Sequence, residues 1–78
     1  MNEWLSRRAD ALAEATGIDR DAFELSPEEI EQVLAWAGDA AHESGARTNA
    51  PLICYLLGRA RPGVASVDEL DEIVRSTS

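Results

Sequence analysis

Residues 26–58 read SPEEIEQVLAWAGDAAHESGARTNAPLICYLLG and contain two helical patterns joined by a glycine turn. The first pattern opens with a capping box, in which the Ser26 hydroxyl accepts from the Glu29 amide and the Glu29 carboxylate accepts from the Ser26 amide. Pro27 suits the first helical position because its φ angle is already near the helical value. Gly45 suits the left-handed residue that follows a helix. These signals predict a helix from Pro27 to the residue before Gly45.

The apolar residues of this helix recur at spacings of three and four, so they share one face. They are Ile30, Val33, Leu34, Ala37, Ala40 and Ala41. Gly38 interrupts the pattern at a cost of about 1 kcal/mol relative to alanine. We therefore predict that another segment of backbone approaches the helix closely at Gly38.

The next segment, PLICYLL over residues 51–57, suits either a helix or a buried strand. Pro51 in a first helical turn, with Thr48 or Asn49 as the N-cap, favours a helix, and no other segment alternates as a pairing strand would. The apolar side chains lie on both sides of this helix: Leu52, Ile53, Leu56 and Ala60 on one, Cys54 and Leu57 on the other. A helix of this kind is central to a fold or forms an oligomer contact.

A first helix is predicted from about Asn2 to Thr16, with Gly17 after its end. Its inner face is marked by Trp4, Leu5, Ala11, Leu12 and Ala15. Arg8 lies in the middle of this face. We expect its aliphatic stem to cover Trp4 while the guanidinium reaches solvent, and a buried pair with an acid is the alternative.

A second capping box, Ser66 to Glu69, predicts a fourth helix. Its inner stripe consists of Val67, Leu70, Ile73 and Val74. Four short helices with brief connections predict an all-α fold, a compact bundle of four short helices, with residues 1–78 forming a single domain.

The charge of the chain limits its partners. Fifteen acidic residues and seven arginines give a net charge of −8, which disfavours nucleic acid and anionic lipid and is compatible with a basic protein partner. The longest apolar run is far shorter than the roughly 20 residues of a membrane span, so no membrane association is expected. The amino terminus lacks a signal-peptide pattern, and Cys54 has no second cysteine to pair with, so a reduced cytoplasmic location is predicted.

The ionisable residues with the best spacing for a site are Asp39, His42 and Arg47, with Asn49 at the turn into the third helix. An imidazole beside an acid could serve as a general base, or hold an anion together with Arg47 and the amino end of the third helix. The alternative is that His42 favours the helix carboxyl end while Asp39 and Arg47 hold the turn. Because neither a nucleophile nor a second nitrogen or sulfur ligand accompanies His42, we predict no catalytic residue, no metal site and no cofactor.

Two aromatic residues are candidates for contact with another molecule. Trp36 borders the apolar face of its helix, and Tyr55 lies one turn before Arg59, where the two side chains can stack. Exposed aromatic residues near arginine are typical of interface anchors, and they are equally typical of ordinary half-buried positions.

Several short motifs together resemble a small helical domain of unknown function found in GC-rich bacteria. They are Asn2-Glu-Trp-Leu5, Ala37-Gly-Asp39-Ala-Ala-His42, Arg47, Ala50-Pro51-Leu52 and Tyr55-Leu-Leu-Gly58. Members of that family look like free-standing proteins of about this length or tails of molybdenum-cofactor guanylyltransferases. The resemblance therefore implies an association with molybdopterin-guanine dinucleotide biosynthesis, and it supplies no catalytic residues. The guanylyltransferase itself is a larger enzyme with a glycine-rich loop that this chain lacks.

Together these observations favour a non-enzymatic accessory or protein-interaction domain, with a molybdenum-cofactor guanylyltransferase as the partner that the resemblance implies. The residues expected to form the contact are Trp36, Tyr55, Asp39, His42 and Arg47. Two alternatives stay open. One is a small-ligand or nucleotide-phosphate binder that uses Arg47 and the amino end of the third helix, and the other is a homodimer formed through the third helix.

Overall fold

The computed structural model describes residues 1–77, which form four α-helices, two short 3₁₀ segments and no strand. The helices are α1 (Glu3–Thr16), α2 (Pro27–Ser44), α3 (Asn49–Ala60) and α4 (Val67–Arg75). The 3₁₀ segments are Arg20–Phe23 and Arg61–Gly63. The predicted all-α fold with four short helices is confirmed.

Contacts between Cα atoms divide the chain into two units, a first unit of residues 1–30 and a second unit from Glu31 onward. The assignment of residues 1–78 to a single domain stays a prediction.

The predicted helix ends are formed by the expected side chains. The Ser26 amide donates to Glu29 Oε1 at 2.8 Å, and the Glu29 amide donates to Ser26 Oγ at 3.1 Å. Asn2 Oδ1 accepts from the Leu5 amide at 2.9 Å. In the second capping box, the Glu69 carboxylate accepts from the amide of Ala65 at 3.2 Å, one residue before the expected donor. Short-range hydrogen bonds from side chains thus place the starts of α1, α2 and α4 where the sequence predicts them.

In the first unit, one arginine joins the 3₁₀ segment to α1. Arg20 Nε donates to Asp10 Oδ1 at 2.6 Å, and Arg20 Nη1 donates to Glu24 Oε2 at 3.1 Å. The hydrogen bond to Asp10 is the main cause that raises the pKa of the Arg20 guanidinium above its ordinary value. This pairing was not predicted, because a separation of ten residues across a loop carries no periodic signal.

The predicted inner face of α1 is exposed. Trp4, Leu5 and Leu12 are all accessible to solvent, and Ala9 is the buried hydrophobic residue of this helix. The Arg8 guanidinium carbon lies 4.0 Å from the centroid of the Trp4 ring, and Arg8 itself is exposed. Arg8 thus lies over Trp4 as expected, but the guanidinium covers the ring where the aliphatic stem was expected to do so. The expected burial of the face around Arg8 is wrong.

In the second unit, three helices each contribute one buried side chain to the core: Trp36 from α2, Leu57 from α3 and Leu70 from α4. Half-buried apolar residues surround these three, namely Val33, Ile53, Val64, Val67 and Val74. The small size of this core means that each buried side chain contributes a large share of the stability.

Leu34 and Ile73, which were expected to face the core, are exposed instead. Leu52 and Leu56 of α3, whose orientation the sequence left open, are exposed as well. On α2 the burial of Trp36 turns the opposite side, which carries Leu34, toward solvent. Periodicity identifies which residues share a face, but which face is covered depends on the neighbouring helices.

The prediction of a close backbone approach at Gly38 is wrong, because a Cβ built there meets no atom of the described chain within 4 Å. Gly38→Ala should therefore raise the free energy of unfolding by about 1 kcal/mol, since glycine is a poor helix former. Urea denaturation followed by circular dichroism would measure the change. Gly45→Ala is the control: its φ of 70° is left-handed, so alanine should destabilise the protein there by about 1 kcal/mol. Equal destabilisation by both substitutions would contradict the open environment of Gly38.

Candidate functional site

The predicted corner of Asp39, His42 and Arg47 does not assemble. All three residues are exposed, and no ion pair or hydrogen bond within residues 1–77 joins any two of their side chains. Ser44 holds the turn instead, because its hydroxyl donates to the Ala40 carbonyl at 2.6 Å and accepts from the Ala46 amide at 3.2 Å. The expectation that Asp39 and Arg47 hold this turn is therefore wrong.

The amino end of α3 offers few free donors for an anion. The amide of Asn49 donates to the Ala46 carbonyl at 3.0 Å, and the amide of Ala50 donates to the Arg47 carbonyl at 3.1 Å. Pro51 has no amide hydrogen. Thr48 precedes the helix without a capping hydrogen bond from its side chain. Two of the backbone amides that could bind a phosphate at this helix end thus already donate to carbonyl oxygens, and the third position has no donor.

One side of α3 carries exposed apolar and aromatic residues. Leu52, Tyr55 and Leu56 are 59%, 69% and 57% exposed, and with Arg59 they follow the i, i+3, i+4, i+7 spacing of a single helix face. We call these four residues the outer stripe. The Arg59 guanidinium carbon lies 5.7 Å from the centroid of the Tyr55 ring, so the expected stacking of this pair is confirmed. The core contacts of α3 are made by Ile53 and Leu57.

A groove of about 590 Å³ lies beside the outer stripe and is lined by α2, α3 and α4. Its apolar lining consists of Trp36, Ala40, Leu52, Ile53, Leu56, Ile73 and Val74. Leu52 and Leu56 belong to both the groove and the outer stripe, so the two form a continuous surface. We refer to this feature as the groove.

Three of the six site residues predicted from the sequence line the groove, and three do not. Trp36, Asp39 and Asn49 line the groove, whereas His42, Arg47 and Tyr55 are not among its lining residues. Tyr55 lies on the adjoining outer stripe.

Trp36 is a core residue as well as part of the groove. Its side chain is only 5% exposed, and its indole Nε1 donates to Asp71 Oδ1 at 2.9 Å. The sequence allowed two interpretations of Trp36, an exposed interface anchor and an ordinary half-buried residue. The buried side chain fits neither. Its main role is to connect α2 with α4.

Asp71 lines the groove and accepts hydrogen bonds from three side chains. Besides Trp36, Gln32 Nε2 donates to Asp71 Oδ1 at 3.3 Å, and Arg75 Nε donates to Asp71 Oδ2 at 2.8 Å. The hydrogen bond from Arg75, followed by that from Trp36, lowers the pKa of the Asp71 carboxyl. Sequence reasoning missed Asp71. The Asp71 to Arg75 spacing of four was a usable signal, but the contact with Trp36 crosses 35 residues.

The charged lining of the groove is predominantly acidic. Asp39 and Glu43 from α2 join Asp71, and Arg75 is the cation among the described lining residues. The attraction of Asp39 and Glu43 contributes, after that of Asp71, to the raised pKa of the Arg75 guanidinium. The groove therefore combines an apolar surface with three carboxylates, which suits an apolar ligand or protein segment that also carries positive charge.

Cys54 behaves as a structural side chain. It is half-buried, and its Sγ lies 3.9 Å from the Val33 carbonyl oxygen. Burial raises the pKa of the Cys54 thiol, which lowers the fraction of reactive thiolate.

Within residues 1–77, no group of three or more histidine, cysteine, aspartate or glutamate side chains is arranged to hold a metal ion. The helices of this part of the chain include none that is long and apolar enough to cross a membrane.

Comparison with known proteins identifies a family but no function. Neither the curated proteins nor the solved structures contain a match to this sequence. The model of a family described as a domain of unknown function, DUF6457, matches residues 1–77, nearly the entire sequence. The chain therefore belongs to the DUF6457 family.

Proposed function

We propose that this chain is a non-enzymatic accessory domain that binds another protein through the outer stripe and the groove. The observation that carries the proposal is the outer stripe itself, where two leucines and a tyrosine stacked on an arginine are exposed on one helix face. Large apolar side chains that cluster on a surface are typical of interaction sites, and tyrosine and arginine are enriched among residues that dominate binding energy.

Charge favours a different protein as the partner over a second copy of this chain. Each copy carries a net charge of −8, and the groove beside the stripe adds three carboxylates to the contact region. Two copies joined through α3 would bring these like charges together, whereas a basic surface would be attracted to them. A homodimer through α3 is therefore the less favoured arrangement.

The partner that we propose is a molybdenum-cofactor guanylyltransferase, in a reduced cytoplasmic compartment. Support for this identity comes from the sequence motifs that resemble domains attached to such enzymes, including Trp4, Asp39, His42 and Pro51. The alternative of a nucleotide-phosphate binder is less well supported, because the amides at the start of α3 are engaged and the groove is acidic.

Titration calorimetry with the purified guanylyltransferase of the same cell tests the proposal. We expect a complex that Tyr55→Ala weakens by about tenfold or more, because a central tyrosine usually contributes strongly to binding. Trp4→Ala, which removes another exposed aromatic ring, is the control and should leave the affinity unchanged. Arg47→Glu should also leave the affinity unchanged if the contact is confined to the outer stripe and the groove, because Arg47 is not among the groove-lining residues.

Each negative outcome refutes a different part of the proposal. Absence of a complex would exclude the guanylyltransferase as the partner. A complex insensitive to Tyr55→Ala would exclude the outer stripe as the contact. A dimer mass for the chain alone in light scattering would favour the homodimer through α3.

A further inference from the structure

The shape of the second unit restricts how a protein segment can bind. Residues 1–77 contain no strand, so the described chain offers no sheet edge to which an extended peptide could add. The groove is bounded by three helices, and the outer stripe continues its apolar surface along α3 for about two turns. This geometry suits a helix laid in a groove, with anchor residues on one face.

The pair formed by Asp71 and Arg75 has an asymmetric environment. Asp71 is held on Oδ1 by Trp36 and Gln32, and its side chain is 20% exposed. Arg75 is 64% exposed and comes from the last turn of the same helix. Because Arg75 is mostly exposed whereas Asp71 is fixed by two further donors, a competing cation can replace Arg75 while Asp71 stays in position.

Resting on the function proposed above, we propose that the groove receives an amphipathic helix of the partner protein, and that an arginine of this helix displaces Arg75 from Asp71. The apolar face of the incoming helix packs on Leu52, Leu56 and Ile73. Its arginine forms charge-assisted hydrogen bonds with Asp71, and Asp39 and Glu43 attract the remaining positive charge. Arg75 thus occupies the cation position of the groove until the partner binds.

A synthetic peptide serves as the probe. It has about 16 residues, enough for a helix of several turns, with leucines along one face and arginines beside them. A matched peptide carries glutamine in place of each arginine. Fluorescence anisotropy at physiological salt gives the dissociation constant of each peptide with the full chain.

The informative substitution is Arg75→Ala, which removes the competing cation. We expect the arginine peptide to bind this variant about threefold to tenfold more tightly, since the charge-assisted bond to Asp71 no longer has to be exchanged. Arg7→Ala is a matched control. Arg7 also forms an exposed pair with an acid four residues away, Glu3, at the same 2.8 Å distance, so it reports the general effect of losing one positive charge. Its effect should stay below about twofold because exposed charges are screened.

A second pair of variants tests the groove acids without altering Asp71, whose hydrogen bond with Trp36 contributes to the fold. Asp39→Asn with Glu43→Gln should weaken binding of the arginine peptide by about tenfold. Asp68→Asn with Glu72→Gln removes the same charge from exposed positions outside the groove lining and should change binding far less.

Unchanged or weaker binding by Arg75→Ala, with its helical circular dichroism intact, would overturn the displacement of Arg75. Equal affinity for the arginine and glutamine peptides would overturn the requirement for a basic helix. Neither result affects the response of the enzyme complex to Tyr55→Ala, so failure of this inference is distinguishable from failure of the proposed function.

Discussion

Replacing Trp36 with alanine should lower the free energy of unfolding by about 3 to 5 kcal/mol, which is the cost of deleting a large aromatic side chain from a core. Trp36 is 5% exposed and packs with Leu57 and Leu70, the other buried members of the core cluster in the second unit. A chain of this length is ordinarily stable by only about 4 to 12 kcal/mol, so the substitution should remove much of the total. Urea denaturation followed by far-ultraviolet circular dichroism measures the loss.

The second tryptophan provides the matched control. Trp4 is 62% exposed, so Trp4→Ala should change the free energy of unfolding by less than about 0.5 kcal/mol. Trp36→Phe separates ring packing from the hydrogen bond to Asp71, because it retains most of the apolar area and removes the indole donor. Equal effects of alanine at the two tryptophans would contradict the assignment of Trp36 to the core.

The helix boundaries were predictable because short-range chemistry sets them. The Ser26 and Glu29 side chains bond to each other's backbone amides within one turn, and Asn2 caps α1 in a similar way. Gly17 and Gly45 adopt the positive φ expected after a helix. Each of these signals depends on residues a few positions apart, so no knowledge of the rest of the fold is needed.

The orientation of the helices was not predictable in the same way. On α3 the apolar residues surround the helix, and only the neighbouring core shows that Ile53 and Leu57 face inward while Leu52 and Leu56 face solvent. Gly38 illustrates a related limit. A glycine that destabilises a helix suggests that another segment packs closely against it. At Gly38, however, no atom of another described segment lies within 4 Å of a Cβ built there.

The candidate site was recovered in part for the same physical reason. Aromatic and charged residues are recognisable in the sequence as candidates for binding. Three candidates chosen in this way lie in the groove lining or on the outer stripe, namely Trp36, Asp39 and Tyr55. The role of Asp71, another carboxylate of the groove lining, depends on a contact between α2 and α4. His42 was singled out by its helical spacing from Asp39, and Arg47 by its position after the turn. No pairing follows from such positions when the side chains are exposed.

The double substitution Leu52→Gln with Leu56→Gln should reduce partner affinity by about 100-fold or more, because burying each leucine at an interface is worth about 1.5 to 3 kcal/mol. Glutamine is a good helix former and carries no charge, so α3 and the electrostatics of the groove are preserved. Both leucines are exposed, and the free energy of unfolding should therefore change little. Calorimetry with the partner and urea denaturation of the free chain measure the two quantities separately.

Leu34→Gln is the control for this experiment, because Leu34 is also an exposed leucine on a helix of the second unit but does not line the groove. Its affinity for the partner should equal that of the unmodified chain. If Leu34→Gln weakens binding as much as the double substitution, the contact lies on α2 and the outer stripe is excluded. If only the double substitution weakens binding, and the unmodified free chain has a monomer mass, the contact with the partner runs through α3. A homodimer through α3 would instead give the unmodified chain a dimer mass, and the double substitution would reduce that to a monomer mass.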